Sequence, residues 1–112
     1  MLRVRAAYLE YRSGSSNKFY AVFTHRGRGM VVWGRLNTRG QAQEVDQAEA
    51  YERYGDKRGK GYRVVWDGNF DFHGEWRQSD LMRALYQART TPTLGESVIE
   101  QDPKEQESIF GW

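Results

Sequence analysis

The stretch Val31-Val32-Trp33-Gly34-Arg35-Leu36-Asn37-Thr38-Arg39-Gly40-Gln41 decides how the chain is read. A hydrophobic, β-branched and aromatic run has the composition of a strand, and Asn37, Thr38, Arg39 and Gly40 then break it into a turn. Side chains alternate between faces in an extended strand, so Trp33 and Arg35 leave one face and Gly34 the other. A flat aromatic surface beside a planar cation suits stacking on a base with contact to its phosphate. The same pair also suits a core Trp with an Arg stem packed along it.

Working outward, Lys18 to Thr24 is aromatic and β-branched, and Arg26-Gly27-Arg28-Gly29 is a tight turn. With Met30 to Leu36 these residues predict a hairpin. Gly40 closes a second turn, after which Gln41 to Val45 pairs back. Upstream, Leu2, Val4, Ala6 and Tyr8 alternate with Arg3, Arg5 and Ala7, the pattern of a half-buried strand. Arg12 to Asn17 reads as a polar loop.

The period then changes. Ala48 to Tyr54 holds good helix formers, with Gly55 as the expected stop. Asp56-Lys57-Arg58-Gly59-Lys60-Gly61 reads as a basic loop, and Tyr62 to Trp66 as a strand. Asp67-Gly68-Asn69 is a turn signal, and Phe70, Phe72 and Trp76 belong to a short strand or an aromatic loop. Ser79 is placed to cap a helix over Asp80 to Arg89, with Leu81, Leu85 and Ala88 on one face. Thr90 to Glu96 is read as loop. Asp102 and Pro103 form the start signal of a further short helix.

The expected fold class is α+β: an antiparallel sheet of four to five strands with one packed helix, then a C-terminal extension with one or two short helices. The division falls after Trp66, with residues 1–66 as the domain and 67–112 as the extension. A chain of 112 residues is long enough for one domain with a core of its own.

The net charge of +2 conceals an asymmetry. Residues 1–65 carry 13 Lys and Arg against 6 Asp and Glu, whereas residues 66–112 carry 4 against 9. A basic body with an acidic tail is the balance expected where one end of a molecule meets an anionic partner. The chain has no Cys, which excludes disulfides and thiolate metal sites and fits a reducing compartment. Met1 to Arg5 lacks the apolar run of a signal peptide, and no stretch approaches the length of a membrane span. The expectation is a cytoplasmic protein, nucleoid-associated if DNA is its partner, with no membrane contact.

Three blocks, in order, carry a family resemblance: Ser16-Asn17-Lys18-Phe19-Tyr20, then Val32-Trp33-Gly34-Arg35-Leu36 with Gly40-Gln41, then Lys57 through Lys60-Gly61-Tyr62. Together they resemble the WGR domain, the Trp-Gly-Arg module of DNA-damage-dependent poly(ADP-ribose) polymerases and of many small bacterial proteins. The likeness spans residues 6–65. It implies an antiparallel sheet with a packed helix, and a module that grips a DNA end or nick at its terminal nucleotide and backbone. In the polymerases the signature Arg also relays contacts to neighbouring domains. The segment from Gln41 to Lys60 is shorter than the family's, and residues 66–112 have no family counterpart.

The resemblance and the charge pattern nominate Asn17, Lys18, Trp33, Arg35, Arg39, Gln41, Lys60 and Tyr62 as nucleic-acid-binding residues with little sequence preference. Ile109, Phe110 and Trp112, after an acidic run, are nominated to bind a protein partner, and the alternative function is a protein-interaction adaptor. Catalytic readings fail. His25 and His73 form no spaced ligand pair, so neither a metal nor a cofactor is expected. Arg26-Gly27-Arg28-Gly29 lacks the strand-turn-helix context of a phosphate-binding loop. Asp67 and Asp71 read as turn residues rather than as paired acid and base. A non-enzymatic protein is the expectation.

Overall fold

Glycine-containing turns of two residues set the first three strands. In the computed structural model, which describes residues 1–91, β1 (Leu2–Ser13) turns through Gly14 and Ser15 into β2 (Ser16–His25). Gly14 takes φ +56° at the first central position of that turn. Arg26 (φ +42°) and Gly27 (φ +85°) then lead into β3 (Arg28–Arg35). Such left-handed turn residues give a hairpin the twist of its strands. The polar loop expected over Arg12 to Asn17 therefore shrinks to two residues, because Ser13 already pairs with Ser16.

The chain continues as β4 (Gln41–Asp46), α1 (Gln47–Gly59), β5 (Arg63–Phe72) and α2 (Gln78–Thr90). The sheet has five strands in the order β4-β3-β2-β1-β5, all antiparallel. The fold is α+β, as expected.

Helix α1 is longer than its composition predicts. Asp46 caps its start by accepting from the Glu49 N–H at 2.8 Å, and Glu49 pairs with Arg53 one turn on. Gly55 does not stop it, because Ala50 and Tyr54 bury one face against the sheet. The stop is Gly61, at φ +98°. Its N–H donates to the Arg58 carbonyl at 3.1 Å, and the Tyr62 N–H donates to the Lys57 carbonyl at 3.0 Å. This pair of bonds is the Schellman arrangement, which needs a left-handed residue and so a glycine. The expected basic loop is thus the helix's last turn, where Lys57 and Arg58 also suit its dipole.

Strand β5 runs straight through Asp67-Gly68-Asn69, so the turn read there does not exist. Pairing with β1 overrides the local turn propensity: Asp67, Gly68 and Asn69 face Ala7, Ala6 and Arg5. Tyr8 pairs with Trp66 but Leu9 with Val64, leaving Val65 as a bulge. That extra residue sends Val64 to one face of the sheet and Trp66 to the other.

Each face carries a helix. On one, Ala50 and Tyr54 of α1 pack on Ala7, Leu9, Tyr20, Val22 and Val31. On the other, Leu81 and Leu85 of α2 join Val4, Ala6, Phe23, Phe70 and Phe72. The division after Trp66 therefore falls inside β5, and α2 packs on the same sheet through Leu81 and Leu85. Ser79 does not cap α2 but lies within it. The cap position is Arg77, and Asp80 accepts from the Glu75 N–H at 2.9 Å and the Arg77 Nε at 3.2 Å. The short helix expected after Asp102, and Ile109, Phe110 and Trp112, lie outside the described residues.

Two glycines hold the β3–β4 corner. A Cβ on Gly34 would come within 2.8 Å of the Gly40 Cα. One on Gly40, itself at φ +73°, would come within 2.4 Å of the Trp33 carbonyl oxygen and 2.8 Å of the Phe19 ring. Gly40→Ala should therefore cost about 1–3 kcal/mol, read as a melting temperature lowered by several degrees. An unchanged melting temperature would mean that the corner is not packed on Phe19.

Candidate nucleic-acid interface

Antiparallel pairing lines side chains up in rows across the sheet, since directly paired residues share a face. On the α1 face one row reads Gln41, Trp33, Tyr20, Leu9 and Val64. The next row outward reads Arg35, Lys18 and Tyr11. Tyr62 extends it, with its ring 5.5 Å from that of Tyr11. Five of the eight nominated nucleic-acid residues (Lys18, Trp33, Arg35, Gln41 and Tyr62) thus meet on one end of one face.

Within that corner the side chains differ in freedom. Trp33 is half-buried and stacks on Tyr20, centroids 6.3 Å apart and planes at 24°. The Trp of the signature is part of the packing as well as of the surface. Lys18 and Arg35 are exposed, and Lys18 Nζ lies 5.4 Å from the centre of the Tyr11 ring. Neither forms an ion pair among the described residues.

Asn17 and Lys18, although adjacent, separate. Alternation sends Asn17 to the α2 face opposite Arg12, where its carbonyl accepts from the Leu36 N–H at 3.0 Å. There it borders a polar cavity of about 400 Å³ with Glu10, Arg12, Asn37 and Arg89. Arg39 is exposed in the β3–β4 turn, and its carbonyl accepts from Gln78 Nε2 at 2.8 Å, which ties the turn to α2. Lys60 occupies the C-cap of α1 and pairs with Asp56 at 3.2 Å. Lys60, Gly61 and Tyr62, the third block of the resemblance, are thereby the capping motif of a helix.

Sequence reasoning missed Tyr11, Tyr20 and the bracing role of Lys57. The ammonium of Lys57 sits 5.1 Å from the Tyr20 ring and 5.6 Å from the Tyr62 ring, and Arg58 lies 5.6 Å from the Tyr54 ring. These cations are held by aromatic faces rather than presented in a loop. Tyr11 was within reach of the strand pattern, which continues past Tyr8 with Leu9 and Tyr11 on alternate positions. Tyr20 is buried, and its hydroxyl lies beside Arg53 without a hydrogen bond. Burial pushes that hydroxyl above the usual tyrosine range, against the pull of Arg53.

Asp67 and Asp71, read as turn residues, are strand residues of β5. Asp71 pairs with Arg3 at 2.8 Å. Burial raises the Asp67 carboxyl above the usual carboxylate range, opposed by Arg58 and Arg5. Among the described residues, no three acidic or His side chains converge on a point that could hold a metal. No helix there is long and apolar enough to cross a membrane.

No family model matches the chain, and no curated protein matches it. A solved structure that resembles it is the crystal structure of a protein from Bacteroides fragilis, 25% identical, with a TM-score of 0.47. The match covers 55% of this chain and 19% of that one, so the chain matches about a fifth of the other protein's length.

Three variants test this geometry. Trp33→Ala should destabilise the fold by roughly 1–3 kcal/mol, since it removes a half-buried ring from its stack. Arg35→Ala should leave thermal unfolding unchanged; equal losses would mean that Arg35 is packed, not presented. Asp67→Asn should raise the melting temperature at neutral pH. A carboxyl whose folded pKa is raised disfavours the fold above that pKa and ceases to do so below its unfolded value. The gain should therefore shrink as pH falls through the Asp67 pKa, and a gain that persists in acid would assign it to another cause.

Proposed function

We propose that the chain is a small, non-enzymatic nucleic-acid-binding module of the WGR type. It holds DNA ends, nicks or other non-B structures through backbone contacts and aromatic stacking, with little sequence preference. The observation that carries this reading is the outer row of the α1 face. Arg35 and Lys18 stand side by side without acidic partners, next to the half-exposed rings of Tyr11, Tyr62 and Trp33. Cations set among aromatic faces are what a sequence-tolerant nucleic-acid surface requires: charge for phosphates and π-surface for any base.

The roles divide accordingly. Lys18, Arg35 and Arg39 supply phosphate contacts, Trp33 and Tyr62 supply stacking edges, and Gln41, paired with Trp33, offers its amide to backbone or sugar. Asn17 serves the opposite face, so it contributes here only through the strand end it anchors. Lys57, Arg58 and Lys60, already engaged with rings and Asp56, brace the surface.

Mobility-shift titrations with blunt, nicked and hairpin duplexes over a range of salt test this directly. The wild-type chain should bind all three, with affinity falling steeply as salt rises. Replacing Lys18, Arg35 and Arg39 with Gln should flatten the salt slope by about two to three charges' worth. Replacing Lys57, Arg58 and Lys60 should change the slope little and lower the melting temperature instead. Absence of binding at low salt would sink the proposal and leave the protein-adaptor role.

A further inference from the structure

At the other end of the α1 face, a basic cavity of about 440 Å³ opens beside the β2–β3 turn and the start of α1. Arg3, Arg5, His25 and Arg26 line it, with the carboxamides of Gln47 and Asn69, and no carboxylate does. Arg3 pairs with Asp71, which lies outside the lining. Arg5 and Arg26 make no ion pair among the described residues, although Asp67 lies within range of Arg5's charge.

The walls are fixed. Gln47 Oε1 accepts from the Gly27 N–H at 2.7 Å, and the Gln47 N–H donates to the Gly27 carbonyl at 2.9 Å. Gln47 Nε2 donates to the Tyr51 hydroxyl at 2.6 Å. His25 Nδ1 is bonded to the Arg3 carbonyl at 2.9 Å. These bonds lock the turn that carries Arg26 to the start of the helix. The turn also carries Arg26 at φ +42°, a left-handed position that Asn, Asp or Gly fills with less strain. A long cation in that position is the residue choice of a charge presented to a ligand rather than of a turn optimised for stability.

We propose that this cavity is a second anion site, which takes a phosphate group between Arg5 and Arg26. Guanidinium forks match phosphate oxygens in geometry as well as charge, and the lining holds no acid to oppose them. The phosphate has two chemical sources: a small phosphate ester, or the backbone of a nucleic acid held at the Lys18–Arg35 corner. The second is geometrically open, because His25 lies seven residue steps along β2 from Lys18, roughly 23 Å of strand. The site itself does not depend on that corner binding anything.

Amide chemical shifts of the isotope-labelled full chain provide the test, with inorganic phosphate, adenosine monophosphate and a single-stranded oligodeoxynucleotide added separately at low salt. Saturable shifts are expected at Gly27, Gln47 and Asn69. Shifts with phosphate or the monophosphate identify a small ester; shifts with the oligonucleotide alone identify backbone. The double variant Arg5→Gln, Arg26→Asn should bind the active probe about tenfold more weakly or worse. Its melting temperature should not fall, since Asn accepts the left-handed turn position. Arg26→Asn alone, which leaves β1 untouched, gives the same comparison should the double variant be unstable. If no probe shifts these amides, or the variants bind as tightly as the wild type, the proposal is overturned. Shifts here without shifts at Lys18, Trp33 and Arg35 would uphold this site while refuting the corner as a nucleic-acid surface.

Discussion

Burial of β1 and β2 on both faces at once is the constraint from which the rest of this architecture follows. Ala6, Ala7, Tyr8 and Leu9 are consecutive and buried, as are Phe19 to Thr24. A sheet wet on one side would alternate; these segments do not, and each face must be covered. Helix α1 covers one face and α2 the other. The bulge at Val65 lets a single strand, β5, contribute Val64 to the first core and Trp66, Phe70 and Phe72 to the second. Residues 67–90 are accordingly part of the domain, as the second half of β5 and the helix that covers one face of the sheet.

Much of this was legible in the residues, and what was not has physical causes. The hairpin around Arg26 and Gly27, the strand over Val31 to Arg35 and the helix through Ala48 to Tyr54 follow from turn chemistry, β-branched composition and helix-forming residues. Helix and strand ends were misplaced where local propensity competes with partners distant in sequence. Gly55 resembles a stop, but only Gly61 meets the left-handed geometry that frees its N–H and that of Tyr62 for the helix carbonyls. Asp67-Gly68-Asn69 resembles a turn until it is seen paired to β1 along its whole length. The bulge leaves no mark in the local sequence, so the alternation of β5 could not be assigned to one face.

The three blocks of the resemblance turn out to be corners of the fold as well as a cluster of candidate contacts. Gly34 and Gly40 lie back to back beneath Phe19, and Lys60-Gly61-Tyr62 closes α1. Residue types that recur for such reasons would be kept for packing even where nothing is bound. What distinguishes a binding surface from a set of structural corners is the cations left over once the fold has used its share. Here the fold uses Lys57 and Arg58 on tyrosine rings, and Arg53 and Lys60 on acids. Lys18 also lies on a ring, that of Tyr11, but like Arg35 and Arg39 it has no acid among the described residues, and the same holds for Arg5 and Arg26 at the other end of the sheet.

The length of α1 sets where those leftover charges can act. Its Schellman stop at Gly61 turns the chain at once into β5, so the helix ends level with the row of Tyr20 and Trp33. Lys57, in the last turn, seals that row by lying across Tyr20 and Tyr62. The next row, Arg35, Lys18, Tyr11 and Tyr62, lies beyond the helix end and stays partly or fully exposed. One further helical turn would carry about 5.4 Å of helix over that row and bury its charges at a cost that unpaired guanidinium and ammonium groups do not tolerate. The capping glycine therefore does two things with one conformation: it completes the hydrogen bonding of the helix, and it leaves the charges of the outer row of the sheet in solvent.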